Sequence, residues 1–102
     1  MRVGHHARAF FALATVLSWI LWHDVDIYQA AGPTRLGGQV YAAAGHETEA
    51  LCNVARRTAL ANEQAAHRGT LMVLLSDGIA VWDDSRQHYT TYRYRCAPVQ
   101  DR

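Results

Sequence analysis

His88 to Cys96 (HYTTYRYRC) is the stretch on which the architecture turns. It is rich in aromatic and β-branched residues, and its alternation is that of a strand. Successive side chains of a strand point to opposite faces, so Thr90, Tyr92, Tyr94 and Cys96 share one side and Tyr89, Thr91, Arg93 and Arg95 the other. Pro98 ends it, because proline cannot donate to a ladder. One segment can cover such a strand as a helix. Thr48 to His67 contains no Gly or Pro and eight Ala or Leu residues, all of high helix propensity. Thr48 supplies an N-cap and Glu49 a negative charge in the first turn, while Gly69 closes the other end. Cys52, Ala55, Ala59 and Ala66, with Leu51 and Val54, form a small-residue stripe suited to lie against a sheet.

The remaining elements read outward from these two. Thr70 to Leu75 (TLMVLL) and Ile79 to Trp82 (IAVW) flank Ser76-Asp77-Gly78; Asp-Gly between apolar runs signals a hairpin. Ser18 to Trp22 (SWILW) reads as a strand buried on both faces. Residues 29 to 46 hold four of the seven Gly and one of the two Pro, which predicts a loop with a short edge strand at Gln39 to Ala43. The expected fold is α+β: a three- or four-stranded antiparallel sheet with one helix on one face, in the order strand, loop, helix, strand, strand, strand.

Residues 1–18 read as an export signal. Arg2 and Arg8, with His5 and His6, make a basic head, and Ala9 to Leu17 (AFFALATVL) an apolar stretch of the right length. The apolar run through Trp22 stays short of the roughly 20 residues a membrane-crossing helix needs. Residues 19–102 then form a single small domain, and the protein is expected to be periplasmic or extracellular. In an oxidising compartment two lone cysteines pair, so Cys52 and Cys96 are expected to form a disulfide. Closing that loop removes denatured-state entropy worth roughly 4 kcal/mol in the chain-entropy picture. A domain of this size has little core to spare.

Several short motifs carry a resemblance. W-I-L-W at 19–22, E-T-x-x-x-C at 47–52, G-I-x-V at 78–81 and T-Y-R-Y-R-C-x-P at 91–98 resemble a type of small secreted bacterial protein of uncharacterised function. Those proteins show a signal peptide, a W-V-L-W strand, an F-x-T-x-x-x-C helix start and a terminal Y-x-C-x-P strand. His46 stands where they commonly have Phe, and the tail after Cys96 is shorter here. The resemblance implies an order of elements and a disulfide, and no activity.

Candidate chemistry is sparse. His23-Asp24-x-Asp26 and Asp83-Asp84-x-x-x-His88 could be drawn as metal ligands, but neither has the i, i+4 or C-x-x-C spacing that a zinc site needs. Ser76, Ser85 and His88 lack a nucleophile elbow. No metal, cofactor or catalytic set is therefore expected. Past residue 18, eight Arg face nine acids, a formal net charge of −1, which is a poor footprint for nucleic acid. The weak ligand-binding candidates are Tyr89, Arg93 and Arg95, whose rings and guanidinium groups could stack on a base or sugar. The plainer reading of that face is solvated Arg paired with acids across the sheet.

The sequence thus points to a non-enzymatic secreted or envelope protein that acts by binding, with another envelope protein among the partners to consider. The alternatives are a membrane-anchored protein with an uncleaved N-terminal segment and, less favoured, a small hydrolase. The exported form should begin near Trp19. Intact-mass measurement of the envelope fraction checks this, and a full-length, membrane-retained species would overturn it.

Overall fold

The computed structural model describes residues 17–99, so the expected export signal lies almost wholly outside the described residues. Two long strands open the fold: β1 (Trp19–Gln29) and β2 (Thr34–His46). Helix α1 (Glu49–Ala66) follows, then β3 (Met72–Leu74), β4 (Gly78–Trp82) and β5 (His88–Pro98). They form one five-stranded sheet in the order β2-β1-β5-β4-β3, with every neighbouring pair antiparallel. The α+β class holds, with five strands in place of three or four.

The segment expected to be a loop with a short edge strand at Gln39 to Ala43 does hold that edge strand, but it is far longer, Thr34–His46, and its glycines explain why. Residues 29–46 are not irregular: only Ala30 to Pro33 turn, with Gly32 at φ 63°, a left-handed value that suits glycine. The other glycines sit inside β2 for packing reasons. Gly38 lies opposite Asp26, and a Cβ there would collide with the Asp26 carboxylate, the Arg35 guanidinium and the Val25 carbonyl. Gly45 leaves room for Leu17. Likewise β1 does not stop at Trp22 but runs on through HDVDIYQ to Gln29. Nor is it buried on both faces, because the helix covers only one. Leu21 is buried, while Trp19, Ile20 and Trp22 are half-buried. The hairpin between β3 and β4 turns one residue earlier than expected. The Leu75 N–H donates to the Gly78 carbonyl at 2.8 Å, so Ser76 and Asp77 make the turn. Gly78 is needed because a Cβ would strike the Tyr92 carbonyl.

The helix forms as its end signals dictate. The Thr48 hydroxyl accepts from the Leu51 N–H at 3.1 Å, which satisfies one of the free donors of the first turn. Cys52 is fully buried and bonded to Cys96, with a Cα–Cα distance of 6.1 Å. Leu21, Cys52 and Tyr94 form the core, packed by Trp19, Ala55, Ala59 and Leu60. Leu51, Val54 and Ala66, placed by the sequence pattern in the buried stripe, are exposed instead. With Ile79 and Ala80 of β4, also buried, the core is still only five residues, a size at which a covalent staple matters.

The helix lies on the Tyr92/Tyr94/Cys96 side of β5, and Arg93 and Arg95 point away from it. Tyr94 is 8 % exposed, whereas Arg93 keeps 39 % of its side chain in solvent beside Asp77. Truncating a buried aromatic costs about 3–5 kcal/mol and an exposed ion pair is worth about 0–1. Tyr94→Ala should therefore lower the denaturant midpoint far more than Arg93→Ala, measured with the disulfide intact. Equal or reversed costs would contradict this packing.

Candidate functional site

The sheet has one face under α1 and one without a helix, and strand alternation sorts the polar residues between them. On the open face, antiparallel register sets Trp82 of β4, Tyr89 of β5 and Tyr28 of β1 side by side. Their rings lie 4.7 Å (Trp82–Tyr89) and 5.1 Å (Tyr89–Tyr28) apart between centroids. Farther along, the Arg95 guanidinium stands 5.6 Å over the Trp22 ring while its Nε donates to Asp24 Oδ2 at 2.8 Å. Arg93 donates to Asp77, and Arg35 to Asp26 at 2.7 Å.

Tyr89, Arg93 and Arg95, singled out in the sequence, are thus on one face, and each is already engaged. Tyr89 stacks on Tyr28 on one side and packs at a 40° tilt against Trp82 on the other, so its ring is committed to its neighbours. Each guanidinium is matched by a carboxylate, which leaves the face charge-balanced. Beneath these groups, Thr91 is 4 % exposed, and its Oγ1 and Asp24 Oδ1 are buried without a hydrogen-bond partner.

The helix-covered face holds a cluster that sequence reasoning missed. Glu63 accepts from the Tyr94 hydroxyl on Oε1 at 2.7 Å and meets His67 Nε2 on Oε2 at 2.9 Å. His23 lies on the same carboxylate, with Nε2 3.7 Å from Oε1. Its ring stacks on Tyr94 at 4.2 Å between centroids, nearly parallel, and His67 packs against Tyr92 at 4.8 Å. The signal that could have found this was present: Glu63 and His67 are four apart on the helix, the spacing of facing neighbours. His23 reaches them only through the register of β1 with β5.

The same alternation separates the members of the first metal pattern. His23 faces the helix, while Asp24 and Asp26 face the other way and are taken by Arg95 and Arg35. Among the described residues no group of three His, Cys, Asp or Glu side chains is arranged to hold a metal ion. At the β4–β5 turn, Asp83 sits between its partners: Ser85 Oγ donates to Oδ1 at 3.1 Å and His88 Nδ1 meets Oδ2 at 3.2 Å. An acid interposed between hydroxyl and imidazole is the wrong order for a nucleophilic triad, where the imidazole must touch the hydroxyl. Partial desolvation pulls the Asp83 carboxyl up, but hydrogen bonds from His88, Ser85 and Gln87 outweigh it and hold the group below its ordinary value. These contacts make a turn with Arg86 at φ 61°.

The Tyr94 phenol is pushed well above its usual range, first by burial and then by the Glu63 carboxylate it donates to. Tyr92 shifts the same way, by burial and then by the Glu63 charge. A phenol whose folded pKa is raised favours the fold in its neutral form. Its contribution is complete below the unfolded value of 10.0 and is lost as pH rises above it. Stability should therefore fall on the alkaline side of that value, and Tyr94→Phe should weaken the fall while costing about 1–2 kcal/mol at neutral pH for the lost bond. Denaturant midpoints from neutral to strongly alkaline pH check this; an unchanged alkaline limb in the variant would contradict it. No protein-family model, curated protein or solved structure matches this chain.

Proposed function

We propose that this is a non-enzymatic protein of the envelope or extracellular space that works by binding another protein through its open sheet face. The observation that carries the reading is the uncovered row of Trp82, Tyr89 and Tyr28 beside Trp22 and three Arg–Asp pairs. Trp, Tyr and Arg are the residue types enriched where proteins meet and bind most tightly. Here the rings already pack against one another and the guanidinium groups are already held, so little side-chain freedom remains to be lost on association. Charge balance argues against a polyanion, whose phosphates would have to displace Asp24, Asp26 and Asp77 from their partners. Rings committed to one another argue against a flat stacking platform for bases or sugars.

The exported setting is part of the proposal. The disulfide is compatible with an oxidising compartment, and among the described residues no helix is long and apolar enough to cross a membrane. The resemblance to small secreted bacterial proteins supports the same setting.

A photo-crosslinking residue placed at Arg95 should capture one envelope protein, and the same residue at Leu51, on the exposed side of α1, should not. Tyr89→Ala should reduce capture from the Arg95 position at least tenfold with the fold intact, as expected for the loss of a central anchor worth about 2 kcal/mol. Absence of capture from the open face, or equal capture from the helix, would refute the reading.

A further inference from the structure

The two edges of the sheet differ in a way that the binding face does not explain. One edge is β3, three residues long, too short to support a continued ladder. The other is β2, with thirteen residues, nearly all exposed. Proteins blunt such edges with Lys, Pro, inward charges, short strands or bulges. Between Leu36 and Gly45 there is no charged residue and no proline, and bulges are the one such device there. Arg35, at one end, is held by Asp26. The register with β1 shifts at Leu36 and at Ala43, so Gly37 to Ala42 form a regular free edge between two bulges.

We propose that β2 pairs antiparallel with β2 of a second copy, joining two five-stranded sheets into one of ten strands. The asymmetry of the edges selects this partner. Pairing β2 with itself about a two-fold axis consumes the long edge of each copy and leaves only β3 outside, so the assembly closes as a dimer rather than growing into a fibre. A two-fold at Val40 places Tyr41 of one copy beside Gln39 of the other. Both project to the helix-covered side, next to a shallow groove of about 290 Å³ lined by Val25, Ile27, Leu36, Gly37, Gly38 and Gln39. A Cβ at Gly37 would meet nothing within 4 Å, so the groove is open to an incoming side chain.

Because this two-fold runs perpendicular to the sheet, both open faces end on the same side, yet the pairing does not depend on what those faces bind. Sedimentation of the processed protein over a roughly hundredfold concentration range should show a dimer. The double variant Val40→Lys, Ala42→Lys, which sets like charges against each other across the axis, should halve the mass. Leu74→Lys on β3 should leave the dimer intact. Should the β2 variant fail to fold, hydrogen exchange on the unaltered protein decides: the outward amides of residues 37–42 should be protected when concentrated and exchange at least tenfold faster when dilute. A monomer throughout, a dimer indifferent to the β2 lysines, one dissolved by the β3 lysine, or exchange independent of concentration would each overturn the proposal.

Discussion

The pairing of β1 with β5 is the constraint from which the rest of the molecule follows. Leu21 opposite Cys96 brings the buried leucine to the disulfide, and His23 opposite Tyr94 brings the imidazole under the helix. Asp24 opposite Arg93 and Tyr28 opposite Tyr89 assemble the other face from the same ladder. A slip of one residue would exchange the two sets, since the side-chain period of a strand is two. The disulfide fixes which face of β5 meets the helix, because only the Cys96 side can reach Cys52. Covalent geometry on one face therefore sets which β5 residues, Tyr89, Arg93 and Arg95, fall on the other.

Partition between faces also governs the charges. β1 reads His-Asp-Val-Asp across its middle, and a strand sends the imidazole one way and both carboxylates the other. The carboxylates find guanidinium partners on neighbouring strands, and the imidazole finds the Glu63 carboxylate of the helix. Residues adjacent in sequence thus belong to separate electrostatic environments. The burial of Tyr94 beside Glu63 stabilises the neutral phenol and satisfies a carboxylate that is itself only 15 % exposed, so each polar group repays part of the other's desolvation.

Where sequence patterns were local, they could be read. The alternation of β5 and the cap and composition of α1 follow from neighbouring residues, and the cysteine pair from there being only two; together they place Tyr89, Arg93 and Arg95 on the face away from the helix. What escaped was set by distant partners. Gly38 looks like loop punctuation until Asp26 and Arg35 are seen to occupy the space a side chain would fill. Gly78 looks like a turn residue until the Tyr92 carbonyl is found against it. Glu63 looks like a solvated helix position until Tyr94 and two histidines converge on it. Leu51 and Val54 share the helical spacing of the buried stripe, yet α1 meets the sheet through Cys52, Ala55 and Ala59, a choice that the disulfide makes and hydrophobicity does not.

The placement of β1 and β5 side by side at the centre of the sheet also fixes when the fold can form. The Asp24–Arg95 contact joins residues 71 apart in sequence, and the ladder that contains it cannot start before the C-terminal strand is available. Non-local pairing of this kind is slow to form, since loop-closure entropy must be overcome before any contact repays it. The β1–β2 hairpin and α1 can appear early, but alone they lack β5, whose Tyr94 and Cys96 complete the core around Leu21. A chain emerging N-terminus first therefore stays incompletely folded until its last strand arrives, and the disulfide, whose Cys96 lies in that strand, closes only then.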